Sequence, residues 1–139
     1  MSVSENEREE NLAKLRAKVE KEPIGSFLGM RLVELNEGYA KVAMKLRPEY
    51  RTFNDFIFGG IIMAIADQAF ACAVNSMGRQ SIASQFNIHF IAAPGLKDEL
   101  IAECRVVRKG NRVDIAETTV TNQQGKLIAI ATSTAIPIT

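Results

Sequence analysis

The feature that most constrains this chain is a long apolar segment, residues 58–75, which contains one charged side chain, Asp67. Its length predicts a helix, and Gly78 is expected to end it. A helix that is apolar on all sides is expected to be buried, and an ionised carboxylate inside such a helix is costly unless it has a partner or a function. Asp67 is therefore the first candidate functional residue.

The start of this helix is a second candidate feature, because it carries Gly59 and Gly60 in succession. The first backbone N–H groups of a helix have no partner within the helix, and without side chains they can approach an oxygen that carries negative charge. One helix thus offers both an anion site and an acid.

Composition narrows the class of protein. With 139 residues, of which 47% are hydrophobic and 24% charged, the chain suits one domain with one core. A net charge of +1 and an aromatic content of 6% without tryptophan do not favour nucleic-acid binding. Cys72 and Cys104 lie in apolar segments without paired spacing, which predicts buried free thiols. We expect a cytoplasmic protein, since the N-terminus lacks the apolar core of a signal peptide and Asp67 interrupts the long apolar run.

The remaining pattern predicts an N-terminal helix and six strands. The helix should run from about Ser4 to Lys21, with Ser4 and Glu7 as a capping pair and Pro23 ending it. On the strand that follows the central helix, alternate residues should share one face, and the last three strands should form an antiparallel meander. The predicted fold is α+β, a sheet of about six strands wrapped around the central helix. The predicted strands are 30–35, 39–46, 82–90, 100–107, 113–121 and 127–136, and the shared face holds Ile82, Ser84, Phe86, Ile88 and Phe90.

Several motifs resemble those of the hotdog-fold acyl-CoA thioesterases of the phenylacetate-degradation (PaaI-like) group. They are Gly59-Gly60, Asp67 within Ile65–Phe70, and Asn75-Ser76, with weaker matches from Ile24 to Ile136. The resemblance implies one hotdog domain over residues 24–139, and the helical pattern before it predicts a separate N-terminal helical segment over residues 1–23. The resemblance also implies hydrolysis of the thioester of coenzyme A, with no metal, no cofactor beyond the coenzyme A of the substrate, and a site shared by two subunits of a homodimer or homotetramer.

Carried over by the resemblance, Gly59 is the oxyanion donor, Gly60 allows close backbone approach, and Asp67 is the general base or nucleophile. Gly59 and Asp67 are separated by roughly 12 Å along one helix, so one carbonyl cannot touch both within a single chain. A site that uses both needs antiparallel helices from two chains. The alternative is that Asp67 is structural, capping a backbone group or pairing across an interface.

The loop before the helix departs from the family pattern. Phe58 stands where the family usually has histidine, and Thr52 stands where many members have asparagine. Three explanations are open: Asn54 supplies the missing polar group, the pocket is adapted to a more apolar acyl end, or activity has been lost. Retention of Asp67 with both glycines favours altered specificity.

Other candidates have alternative structural explanations. Ser84 suits strand packing or substrate lining, and His89, the one histidine, suits a sheet surface. Arg79 and Arg112 could meet the phosphates of coenzyme A or could be solvated loop charges.

Two further function classes are a non-catalytic acyl-CoA binding or sensing protein of the same fold and a structural assembly subunit.

Overall fold

The computed structural model describes residues 4–139, so Met1, Ser2 and Val3 of the predicted N-terminal segment lie outside the described residues. Three α-helices and six strands follow in order, with a short 3-10 helix at Pro48–Tyr50. The helices are α1 (Glu5–Glu20), α2 (Pro23–Leu28) and α3 (Gly59–Asn75), and the strands are β1 (Met30–Asn36), β2 (Tyr39–Lys45), β3 (Ser81–Phe90), β4 (Glu99–Lys109), β5 (Asp114–Asn122) and β6 (Leu127–Pro137).

The six strands form one sheet in the order β1-β2-β4-β5-β6-β3, and every neighbouring pair is antiparallel. The predicted meander of the last three strands is confirmed, and the predicted α+β class is confirmed with it. β3 leaves α3 and pairs with β6, so β3 lies at one edge of the sheet. The sheet therefore ends in a ten-residue strand that is hydrogen-bonded on one side.

The core lies between the inner face of the sheet and α3. Along β2, the alternate residues Ala40, Val42 and Met44 lie in the core, each at most 1% exposed. From α3, Ile65 and Phe70 pack against them in the same cluster. Burying side chains of this size contributes about 1.5–3 kcal/mol each, which fixes α3 against the sheet.

The N-terminal part contains one element that the sequence did not predict. Ser4 caps α1 as expected, since its Oγ accepts a hydrogen bond of 3.2 Å from the backbone N–H of Glu7. The apolar stretch after α1 is a second helix, α2, in which Pro23 occupies the first turn. Gly29, with φ of 73°, adopts the left-handed conformation that ends α2.

A β-bulge in β3 makes one sequence prediction wrong. The register with β6 shifts between Ala83 and Gln85, so the strand changes parity at Ser84. Phe86, Ile88 and Phe90 share the inner face as predicted, but Ile82 pairs with Ile136 and is exposed. The shared face therefore begins after the bulge.

None of the helices between residues 4 and 139 is long and apolar enough to cross a membrane.

Cys72 and Cys104 are both free thiols and both buried, as the sequence predicted. Burial raises the pKa of Cys72 to about 12 and that of Cys104 to about 11.

Candidate active site

Helix α3 is buried on one side only. Its inward face packs in the core, but Gly60, Met63 and Asp67 are exposed along the other face. The expectation that this helix is buried on all sides is therefore wrong for the single chain. The sheet has one inner face and covers one side of α3, which leaves an apolar face of a helix open to solvent.

Asp67 lies in the middle of this open face. Its carboxylate makes no hydrogen bond or ion pair with any other residue between 4 and 139. The apolar atoms around it remove part of its hydration, and this desolvation raises the pKa of Asp67 above its usual value. The carboxylate is thus accessible, without a partner in the described part of the chain, and less acidic than an ordinary aspartate, which suits a general base.

The first turn of α3 offers two hydrogen-bond donors. Phe58 is the N-cap, and its side chain cannot accept a hydrogen bond from the helix. The N–H of Ile61 donates to the Phe58 carbonyl at 2.9 Å, whereas the N–H groups of Gly59 and Gly60 have no acceptor among residues 4–139. These two groups, aided by the positive end of the helix dipole, can bind an oxygen that gains negative charge.

Two aromatic rings flank these donors. A Cβ atom on Gly60 would collide with the ring of Phe58, so that ring lies directly over the first turn of α3. A Cβ atom on Gly59 would lie 3.3 Å from Cζ of Phe90 at the end of β3. The glycines therefore let two phenyl rings approach the backbone of α3.

The loop before α3 is a closed turn. The N–H of Thr52 donates to the Phe56 carbonyl at 2.6 Å, and the Thr52 hydroxyl accepts from the N–H of Asn54 at 3.2 Å. Asp55 has a positive φ of 63°, and its carboxylate lies 3.6 Å from the Arg51 guanidinium. These contacts pair polar groups of the turn with one another. The side chain of Asn54 is exposed, and that of its neighbour Phe53 is 97% exposed.

The other predicted site residues lie elsewhere. Ser84, at the bulge of β3, donates to the Thr134 carbonyl at 3.2 Å. Arg79 follows the C-terminal end of α3, roughly 24 Å along the axis from Gly59, and its guanidinium lies 2.5 Å from the carboxylate of Asp114. Asp114 is fully buried, so this contact ties Arg79 to the start of β5. Arg112 is exposed in the β4–β5 hairpin.

Phe90 is the residue at this site to which sequence reasoning gave no role. Its place on the inner face of β3 follows from the strand pattern, but its contact with Gly59 depends on how far β3 runs back beside α3. No local signal in the sequence reports that distance. Between residues 4 and 139, no group of three or more His, Cys, Asp or Glu side chains could hold a metal ion.

A six-stranded antiparallel sheet around one long helix, with free N–H groups at the helix start and a carboxylate on its open face, defines a hotdog-fold protein. Residues 54–129 match the model of the Thioesterase superfamily, and the chain belongs to that family. It is a thioesterase of the PaaI-like group.

Individual relatives agree with this assignment. The acyl-coenzyme A thioesterase PaaI of Escherichia coli K12 is 30% identical over 114 residues, which cover 82% of this chain and 81% of that protein. The solved structure of the E. coli PaaI protein from the phenylacetic acid degradation operon superposes with a TM-score of 0.87 at 27% identity, over 95% of this chain and 94% of that one. The structure of smu.793 from Streptococcus mutans UA159, bound to acetyl CoA, has a TM-score of 0.75 at 26% identity, over 78% of this chain and 87% of that one.

Proposed function

We propose that this chain hydrolyses acyl-CoA thioesters to the free acid and coenzyme A, at a site that two subunits build together. The observation that carries the proposal lies on one helix: among residues 4–139, the N–H groups of Gly59 and Gly60 have no acceptor, and the carboxylate of Asp67, on the open face, has no partner. Two relatives support the substrate class, one by its name as an acyl-CoA thioesterase and one by its bound acetyl CoA.

In this proposal, the thioester carbonyl oxygen accepts a hydrogen bond from the N–H of Gly59, and Gly60 keeps the backbone accessible. The bond strengthens as the oxygen becomes an oxyanion, which favours the transition state over the substrate. Asp67 takes a proton from water, whose oxygen bonds to the carbonyl carbon, or it attacks the carbon itself and forms a mixed anhydride that water hydrolyses to the free acid after coenzyme A has left. The carbon–sulfur bond then breaks, and the coenzyme A thiolate leaves and is protonated.

The two groups must come from different chains. Gly59 and Asp67 are roughly 12 Å apart along α3, too far for one carbonyl to touch both. The single chain exposes two surfaces that a second copy would cover, the open face of α3 and the edge strand β3. An exposed ten-residue edge strand invites pairing with another chain, and a two-fold axis would set two α3 helices antiparallel. We therefore propose a homodimer, alone or within a homotetramer.

Residues of the loop before α3, of β3 and of the β4–β5 hairpin would bind the rest of the substrate. Phe58 would lie beside the acyl group next to the carbonyl, Asn54 and Thr52 would line the acyl end farther from it, and Ser84 would line the substrate from β3. Arg112 would approach the coenzyme A phosphates from its exposed hairpin, whereas the Arg79 guanidinium is already paired with the carboxylate of Asp114. We propose that the reaction needs no cofactor and takes place in the cytoplasm, where the buried thiols of Cys72 and Cys104 would remain reduced.

The proposal is tested first by separating the two roles. Asp67→Asn removes the proton acceptor and should lower kcat for acyl-CoA hydrolysis by at least about 100-fold. Gly59→Pro removes the N–H, and the extended backbone of Phe58 with ψ of 129° tolerates a following proline at the first helical position. We expect a loss of about 10²–10³ in kcat for Gly59→Pro.

The matched control is Gly59→Ala, which keeps the N–H and adds the Cβ that Gly59→Pro also carries against Phe90. Gly59→Ala should retain most activity. If Gly59→Ala and Gly59→Pro are equally impaired, steric contact with Phe90 explains the loss and the oxyanion role is rejected.

Mixing the two inactive variants tests the shared site. A dimer of one Asp67→Asn chain and one Gly59→Pro chain would contain one intact site, so a random mixture should recover about a quarter of wild-type activity. A site within one chain predicts no recovery on mixing. Refolding the variants together from denaturant, and separately as the control, allows subunit exchange.

A non-catalytic acyl-CoA binding protein is the second candidate, because Phe58 places an apolar ring at the helix start, where it can donate no hydrogen bond. A free-thiol assay over a panel of acyl-CoAs, run beside calorimetric binding, separates the two. Saturable binding without thiol release would select the binding protein.

A further inference from the structure

The start of α3 combines hydrogen-bond donors for a polar carbonyl with an apolar surface. The two free N–H groups of Gly59 and Gly60 are flanked by two phenyl rings, with Phe58 over Gly60 and Phe90 against Gly59. Phe58 remains 57% exposed and Phe90 53% exposed, so both rings present apolar surface outward. Any group whose oxygen accepts from these N–H groups must place its adjoining atoms beside the rings.

The rings offer no hydrogen bond to those adjoining atoms. In the turn before Phe58, the Thr52 hydroxyl is directed into the turn itself, since it accepts from the N–H of Asn54 at 3.2 Å and from that of Phe56 at 3.4 Å. A hydroxyl pressed against the rings would lose its water without gaining a partner, and this is costly. The two amides in the pantetheine arm of a thioester would also lose water beside the rings without gaining a hydrogen bond. The carbon atoms of an acyl chain make no hydrogen bonds and lose none.

From this arrangement we infer that Phe58 and Phe90 form an apolar clamp on the first carbon atoms of the acyl group. The clamp makes the chain select acyl groups that are apolar next to the thioester and discriminate against those hydroxylated there. Phe58 and Phe90 act as specificity residues, and the inference rests on the proposed function. An apolar pocket discriminates against an added hydroxyl by about 10²-fold, which sets the expected size of the effect.

The experiment compares butyryl-CoA with 3-hydroxybutyryl-CoA. We expect a kcat/KM ratio of about 10² in favour of butyryl-CoA for the wild-type chain. Phe58→Asn supplies a polar partner and should reduce that ratio at least about tenfold, whereas the matched control Phe58→Leu keeps an apolar side chain and should retain it. Phe90→Asn and Phe90→Leu are compared in the same way. Because Phe58 is more than half exposed, its substitution leaves the core intact.

The outcomes separate the inference from the proposed function. Turnover of both substrates with similar kcat/KM, or equal ratios in Phe58→Asn and Phe58→Leu, overturns the clamp and leaves hydrolysis standing. The dissociation constants of the two thioesters for Asp67→Asn are measured by calorimetry in parallel. If the wild-type chain shows no turnover, hydrolysis is rejected, and the clamp stands only if butyryl-CoA still binds more tightly and Phe58→Asn removes that preference.

Discussion

At the scale of single residues, Asp67 combines two properties that usually exclude each other. It faces solvent in the single chain, yet apolar neighbours raise its pKa. A raised carboxylate pKa means that folding disfavours the ionised form, so Asp67 lowers stability at neutral pH. A side chain that costs stability and has no partner between residues 4 and 139 is better explained by a chemical role than by a structural one.

This raised pKa sets the pH dependence of hydrolysis. The base must be ionised, so kcat/KM should stay level near neutral pH and fall as pH drops through the pKa of Asp67, which is higher than the usual value of 3.8. Steady-state rates measured between neutral pH and pH 4 locate this fall, with circular dichroism at each pH as the control for unfolding.

Asp67→Asn provides the matched comparison. Its residual activity should lack the acidic limb, and its Tm at neutral pH should be no lower than that of the wild type, because the cost of the ionised form is removed. An acidic limb that persists unchanged in Asp67→Asn would assign the titration to another group.

The residues of the site were predictable to the extent that their chemistry is local. Asp67 and Gly59 stand out in the sequence because an acid in an apolar helix and glycines at a helix start have direct physical consequences. The exposure of Asp67 was not predictable, since an apolar helix face that is open to solvent in the single chain has the same sequence pattern as one buried in the core. The contact of Phe90 with Gly59 depends on the tertiary path of β3.

At the scale of elements, a side-chain hydrogen bond joins Glu22, the N-cap of α2, to α3. Gln68 Nε2 donates to Glu22 Oε1 at 2.6 Å, from the residue next to Asp67. Gly25 makes room for this contact, since a Cβ there would lie 2.9 Å from the same Glu22 oxygen. The hydrogen bond joins the start of α2 to the middle of α3 and lies near the buried thiol of Cys72.

Breaking this contact should loosen the covering helices. A hydrogen bond of this kind contributes about 1 kcal/mol, so Glu22→Ala should raise the rate of Cys72 labelling by a thiol reagent about fivefold through more frequent local opening. Cys104 in β4 serves as the internal control and should label at the wild-type rate, while Glu22→Gln keeps an acceptor oxygen and should restore protection. Equal acceleration at both cysteines would indicate global unfolding instead.

Elements with a long, clear period were predictable, and short or irregular ones were not. The helix over Gly59–Asn75 and the alternation of β2 follow from hydrophobic patterns that extend over many residues. The six-residue α2 is too short to display a helical period. The bulge at Ser84 changes parity without any glycine or proline to mark it, so the pattern of β3 could be read correctly only beyond that point.

At the scale of the whole molecule, one chain presents half of each of the two proposed sites. The open face of α3 and the free edge of β3 lie on the surface of the single chain. Covering them with a second copy would bury apolar surface and bring Gly59 of each chain toward Asp67 of the other. In that arrangement catalysis requires association. A separated subunit retains every residue of the site but has no complete site.

Dilution should therefore lower the specific activity and the molecular mass of the assembly together. As protein concentration falls below the dissociation constant of the dimer, specific activity should decline in parallel with the sedimentation-derived mass, and Tm should fall with it. Asp67→Asn controls for association alone, since it should follow the same mass curve while remaining inactive. Specific activity that stays constant while the mass halves would show that one chain suffices, because a site built by two chains cannot survive their separation.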